Sequence, residues 1–539
     1  DLPTSSKMVV DQMGELAIDP KKAAKNARKA EKEARKAKAA EAANRAVIVV
    51  NDYTKEQFGD LPMVQSGFRS QRQWVSASKL DTPSVGQHVW IRARLEAVRA
   101  TGKRCFALLR QTPYSVQAIA AEDDQTPRDM IKYIGKVPVE SIVDVFGQIM
   151  LADPPVTSAS QSLIEIQIMK FFVVSASTPV LTMQIADAKR PVADDVDDEN
   201  AQSDGMATVG RTIRLDNRWL DLRASANHAI FRVQSAVGTY FREYFLQRDF
   251  IEVHTPKLIS AASEGGADVF KLDYFGNPAF LAQSPQLYKQ MCMNGDLHGV
   301  FEIGPVFRSE RSFTHRHMCE FTGLDFEQEI KEHYHEVLET LGSLFKHVFD
   351  SLHAKNGADL DLICTQYPFE RLVYPDEPLV LHFSDAIRML REDGDKEADE
   401  FVDISTPQEK RLGVLVKAKY NTDFYIVDRY PMSARPFYTM PCADDPRFSN
   451  SYDVFLRGEE ITSGAQRIHD HQLLVERALA NVPAIPIDTI QSYTDSFKSG
   501  SPPHGGAGIG LERVAMLFCG LKNIRLASLF PRDPNRCTP

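Results

Sequence analysis

The chain has 539 residues, 43% hydrophobic and 25% charged, a globular composition with length for three to four domains and no run near the roughly 18 consecutive apolar residues of a membrane helix. Its seven cysteines are odd in number and form no CxxC pair, so neither a zinc ribbon nor a disulfide framework is indicated and a reducing cytoplasm is expected. The net charge of -10 conceals residues 21–45, with ten Lys/Arg against three Glu; the remainder is -17 and can hold a polyanion only where cations are gathered.

Residues 1–60 read as a basic extension, partly helical or disordered, with no signal-peptide apolar core. On a helix, Lys21, Lys25, Arg28, Lys29 and Lys32 fall on one face opposite alanines, a pattern suited to a nucleic-acid backbone or to plain solvation. Over 61–180 the period changes to two. Val89, Ile91, Ala93 and Leu95 alternate with polar residues, and strands are predicted at 104–110, 114–120, 142–151 and 163–174, with a helix near 127–134. Five strands with a helix at that place match an OB barrel, a fold that binds oligonucleotides.

The acidic run from Asp187 to Asp204 marks a hinge or linker over 181–225. From 226 to 539 an α+β domain is expected. Ile230, Val233, Val237, Phe241 and Phe245 recur at helical spacing, a strand then leads to Pro256, and a second amphipathic helix runs over about 332–355.

Two stretches carry chemistry. In GPVFRSERSFTHRHMCEFTGLDFE (304–327) a strand ends at Arg308, a polar loop follows, and a return strand runs from Phe321 to Phe326; Arg308 and Arg316 offer planar forks for phosphate or carboxylate oxygens. In GGAGIGLERV (505–514) glycines allow close backbone approach to a ligand and Arg513 opens an apolar helix. The third glycine of a dinucleotide fingerprint is missing and no GxxxxGK[ST] exists, so a nucleotide site here is neither Rossmann nor P-loop. The pairs His315/His317, His333/His335 and His469/His471 lack the spaced cysteines or HExxH that would argue for zinc.

Together these stretches resemble the class II aminoacyl-tRNA synthetases of subclass b, and within them the eukaryotic-type cytoplasmic aspartyl branch. FRSE (307–310) and GIGLER (508–513) match the class motifs. QSPQLYK (283–289), THRHMCEFTGLD (314–325), RPFYTMP (435–441), GEEITSGAQRIHD (458–470) and SLFPRDPNR (528–536) match the branch. The resemblance implies an OB anticodon-binding domain, a catalytic domain on an antiparallel sheet, and a homodimer with Pro256 at its interface. It implies a ligase that activates L-aspartate with ATP and transfers it to aspartate tRNA.

By that resemblance Arg308 and Arg513 grip the phosphates and, with Glu460, form the catalytic set. Glu310, Arg316, His317, Met318, Phe321 and Gly510 complete the ATP site. Ser263, Glu264, Gln286, Lys289, Asp325, Ser463 and Arg467 serve aspartate, with Lys289 and Arg467 pairing its side-chain carboxylate and Asp325 either orienting the substrate or positioning Lys289. Glu460, Ser463 and Asp453 would hold Mg²⁺, although Asp453 could equally cap a turn. Phe106, Gln117 and Glu165 would read the anticodon, although Phe106 alone could sit in the barrel core. An asparagine-specific relative and a non-catalytic RNA-binding paralogue are the alternatives; two cations suit a carboxylate better than an amide, and the motif residues are all retained.

Overall fold

The computed structural model describes residues 56–191, 208–260 and 269–539, apart from 68, 71 and 125. Lys21, Lys25, Arg28, Lys29, Lys32, Ser263 and Glu264 lie outside the described residues. Two compact units divide between Val180 and Leu181.

The first unit is a closed barrel of β1 (His88–Thr101), β2 (Arg104–Gln111), β3 (Tyr114–Ala121), β4 (Ile142–Leu151) and β5 (Ile164–Ser175), with α1 (Arg128–Ile134) between β3 and β4. The strands run in the order β5-β3-β2-β1-β4, and a β4–β5 pairing closes the ring. This is the OB-like barrel that the alternation predicts. Val89, Ile91, Ala93 and Leu95 point into its core, as strand period requires. Trp90, expected to face outward, is nonetheless buried, because Trp74 and Phe146 stack over it at 5.9 and 5.1 Å.

The second unit is built on eight strands: β6 (Ile251–Glu252), β7 (Gly299–Phe307), β8 (Glu320–Glu329), β9 (Leu379–His382), β10 (Phe424–Asp428), β11 (Ser451–Leu456), β12 (Glu459–Gln466) and β13 (His504–Gly510). Their order is β9-β10-β11-β12-β13-β8-β7-β6. The sheet is mixed rather than wholly antiparallel. The inner six strands are antiparallel, whereas β6 joins β7 and β9 joins β10 in parallel; both edge strands return from long excursions rather than hairpins. One face is covered by α2 (Ser225–Leu246) and α4 (His335–Lys355), whose apolar stripes supply Val233, Phe241, Phe245, Leu341 and Phe345 to the core. Between them in the chain lies α3 (Gln286–Asn294).

The described residues of the acidic hinge region pack into this unit as three short helices, Ile185–Ala188, Arg211–Asp216 and Arg218–Asp221. Asp221 is fully buried and accepts from Arg214 at 2.8 Å and Arg218 at 2.6 Å. Arg218 also donates to the carbonyls of Leu526, Ser528 and Leu529 at 2.7–3.1 Å. Three backbone oxygens that form no regular ladder are thereby satisfied by one buried guanidinium.

Candidate active site

The centre of the sheet forms the floor of a cavity of about 400 Å³. β13 runs there because its glycines allow a close fit. A Cβ on Gly506 would stand 2.1 Å from the Phe326 carbonyl oxygen of β8. That glycine serves sheet packing rather than ligand approach; Gly508 and Gly510 further along the strand do line the cavity.

Arg308, just beyond β7, and Arg513, in α6 (Leu511–Phe518), both line it. So do Glu310, Arg316, His317, Met318, Phe321, Gln286, Asp325, Glu460, Ser463 and Arg467. Residues more than 200 positions apart in sequence are thus brought to one wall. The loop between β7 and β8 is pinned at both shoulders by the C-terminal segment: Ile524 N donates to the His315 carbonyl and Cys319 N to that of Arg532, each at 2.8 Å. Arg525, buried and paired with Asp533 at 2.6 Å, donates to the Thr314 carbonyl at 2.9 Å.

One end gathers Arg308, Arg316 and Arg513, each within 3.9 Å of a carboxylate, those of Glu310, Glu409 and Glu460 in turn. Burial, then the charges of Arg513, Arg316 and Arg308, push the His317 imidazole down to about 4, so it is neutral at physiological pH. Burial pulls Arg513 below its usual value, and its Nη1 donates to the Glu460 carbonyl at 3.1 Å. The Arg308 guanidinium lies 5.7 Å from the Phe321 ring centroid. Arg316 is held across the cavity wall by Glu409, with contacts of 2.6 and 3.1 Å.

At the other end Lys289 and Arg467 are each paired with a carboxylate. Lys289 does not line the cavity; it is fully buried, 3.0 Å from Asp325 and 3.6 Å from Glu327. Arg467 lines the cavity but places Nε 2.9 Å from Glu327 and Nη2 3.1 Å from the Gln286 side-chain oxygen. Burial raises the Glu327 carboxyl, yet Arg467 and Lys289 together hold it below the ordinary range. Two carboxylates, Asp325 and Glu327, therefore offset the two cations here.

Of the expected metal ligands, Glu460 lines the cavity with its carboxyl raised by burial and by neighbouring Asp453. Asp453 does not line it: both its oxygens accept from Arg435, at 3.0 and 2.7 Å, and Arg435 reaches the Ser463 hydroxyl at 2.9 Å. Among the described residues no group of three or more His, Cys, Asp or Glu could hold a metal by itself. Of the HxH pairs, His335 joins His382 in flanking the buried carboxylate of Asp428, at 3.2 and 2.6 Å.

Comparison with known proteins matches residues 210–534 to the family described as tRNA synthetases class II (D, K and N). The chain belongs to that family. It is 49% identical to the human protein named aspartate--tRNA ligase, cytoplasmic, over 90% of this chain and 96% of the human one. The aspartyl tRNA synthetase of Entamoeba histolytica superposes with a TM-score of 0.82 at 43% identity, covering 90% of this chain and 97% of that one. Asparaginyl-tRNA synthetase from Pyrococcus horikoshii is more distant, at TM-score 0.73 and 26% identity over 86% of this chain and 99% of that one.

Several residues of this class II synthetase that shape the cavity escaped the sequence reading: Glu327, Arg435 and Glu409. Glu327 closes the very stretch that carries Arg308 and was available as the next acid of the period-two run Asp325, Glu327. Arg435 and Glu409 had no such cue. In the barrel, Phe106, Gln117 and Glu165 share the outer face of adjacent strands β2, β3 and β5, all half-buried. Gln117 donates to Glu165 at 3.2 Å, and the Arg99 guanidinium lies 5.2 Å from the Phe106 ring. Phe106 is thus outside the barrel core.

Proposed function

We propose that this class II synthetase is an aspartate–tRNA ligase, which activates L-aspartate with ATP and transfers the aspartyl group to the 3′ end of aspartate tRNA. The observation that carries the reading is a relative of that name at 49% identity over 90% of the chain, combined with a cavity in which three arginines face one end and a balanced acid–base set the other. Like its relatives named cytoplasmic, it acts in the cytoplasm.

Joining two anionic reactants is the physical problem, and fixed cations in a recessed site solve it. Arg308 and Arg513 hold the phosphates in line for attack by the aspartate carboxylate. Arg316 and neutral His317 receive the outgoing pyrophosphate, Phe321 stacks on the base, and Glu310 accepts from its amino group. Met318 and Gly510 shape the same slot. Gln286, Asp325 and Arg467 orient aspartate, backed by Lys289; Ser263 and Glu264, outside the described residues, would serve the same substrate. A carboxylate whose proton affinity is raised by burial suits a hard cation, so Glu460 with Ser463 would hold Mg²⁺, and Asp453 would join once Arg435 releases it. When bound, the ion supplies positive charge to the phosphate oxygens.

Phe106, Gln117 and Glu165 offer a stacking ring and polar edges to anticodon bases. Lys21, Lys25, Arg28, Lys29 and Lys32 would add contacts to the tRNA backbone. Exposed Pro256 lies at the proposed homodimer interface. The test is pyrophosphate exchange by the full chain with aspartate, asparagine or lysine. Exchange dependent on aspartate supports the reading, and equal or greater exchange with asparagine overturns it.

A further inference from the structure

Helix α5 (Thr406–Tyr420) lies outside every stretch that the family resemblance quotes, yet it holds one of the cavity's arginines. Ser405 and Gln408 form a capping box at its start, and Glu409 sits in its first turn, 5% exposed, where the positive end of the helix favours an anion. Its Oε2 accepts from Arg316 Nη1 at 2.6 Å and its Oε1 from Nη2 at 3.1 Å, while the Thr406 hydroxyl accepts from Nη2 at 2.8 Å. Three of the five N–H groups of the guanidinium are engaged, and two remain for a ligand. The helix itself cannot slide. A Cβ on Gly413 would stand 2.4 Å from the Gly458 Cα in the β11–β12 turn, so α5 and the turn that carries Glu459 and Glu460 are set against each other.

The other carboxylates acting on Arg316 are Glu460 and Glu459. Glu459 is already engaged by His315 at 3.1 Å and Lys410 at 3.6 Å. If Glu409 lost its charge, Arg316 would therefore turn toward Glu460 and away from the polyphosphate.

We propose that Glu409 is a positioning residue for ATP, fixing Arg316 with two N–H groups toward the polyphosphate and away from Glu460. It rests on the reading above that Arg316 meets the nucleotide phosphates. An interaction with the leaving pyrophosphate is present before and during the reaction, so its loss weakens binding more than turnover.

The test is aspartate-dependent pyrophosphate exchange by the full chain carrying Glu409→Gln, Arg316→Gln, or both. Glu409→Gln should raise the KM for ATP roughly 10- to 100-fold, the effect of misdirecting one charge-assisted hydrogen bond, and leave kcat within about threefold. In the Arg316→Gln background the same change should add less than about twofold, because it acts through that arginine. Thr406→Val, which leaves the ion pair in place, should raise KM only a few fold and serves if Glu409→Gln does not fold. A fall in kcat at constant KM, an equal increment in both backgrounds, or a lower KM for ATP each overturn the proposal. Should the wild-type chain show no aspartate-dependent exchange, the functional reading fails; ATP binding by calorimetry on the same variants then decides the role of Glu409 separately.

Discussion

Glu327→Gln tests the charge balance at the amino-acid end. The carboxylate is fully buried, 2.9 Å from Arg467 Nε and 3.6 Å from Lys289 Nζ, and accepts from Gln286 Nε2 at 3.3 Å. Glutamine preserves the shape but leaves Asp325 to offset two buried cations. Breaking a buried ion pair by removing one partner costs about 3–5 kcal/mol. With an unfolding entropy of about 2.1 cal/mol/K per residue across the 181–539 unit, that becomes a fall of roughly 4–7 °C in the melting midpoint. Circular dichroism melts of the full chain measure it. Saturating L-aspartate brings a carboxylate to the vacated charge and should restore more of the midpoint in the variant than it adds to the wild type. L-asparagine should not. A variant within about 1 °C of wild type, or equal rescue by both amino acids, would refute the pairing on which the selectivity argument stands.

Arg308→Ala and Arg513→Ala should each cut aspartate-dependent exchange by roughly 10²- to 10³-fold while the melting curve stays near wild type; near-normal exchange in either removes it from the phosphate site. Phe106→Ala should lower charging of aspartate tRNA by the equivalent of about 1–3 kcal/mol and leave tRNA-independent exchange unchanged, measured with matched and anticodon-altered transcripts. His317 is held at about 4 in the fold against about 6.5 unfolded, so the unfolded chain takes up the proton first and stability is lost as pH falls from about 6.5 to 4. His317→Gln should reduce the stability difference between pH 7.5 and 5 by at most roughly 2 kcal/mol in urea melts; an unchanged difference means that the imidazole titrates normally.

The barrel was legible because its strands keep period two with small or branched residues inward, and turn residues separate them. One wall of the cavity was legible because its residues are nearly contiguous: Arg308, Glu310 and Phe321 lie on one strand–loop–strand stretch. What stayed hidden are partners chosen by the fold. Glu409 is one acid in an ordinary amphipathic helix, and only the packing of Gly413 on Gly458 brings it to Arg316. Arg435 lay inside a quoted stretch, but nothing local says that it takes up both oxygens of Asp453. The pairing of Lys289 with Asp325 depends on how α3 packs on β8, which no local pattern announces. The parallel edge strands were missed because alternation is the same in parallel and antiparallel ladders.

The grip of Arg218 on the carbonyls of residues 526–529 has a consequence for the order in which the site comes into being. That segment continues directly from Ile524 and Arg525, which brace the loop carrying Arg316 and His317, and it leads to Arg532 and Asp533. The cavity wall is therefore braced by residues that follow every strand of the sheet in sequence. The sheet can pair before those residues dock, as parts of a chain fold in turn, but the loop carrying Arg316 and His317 is braced only afterwards.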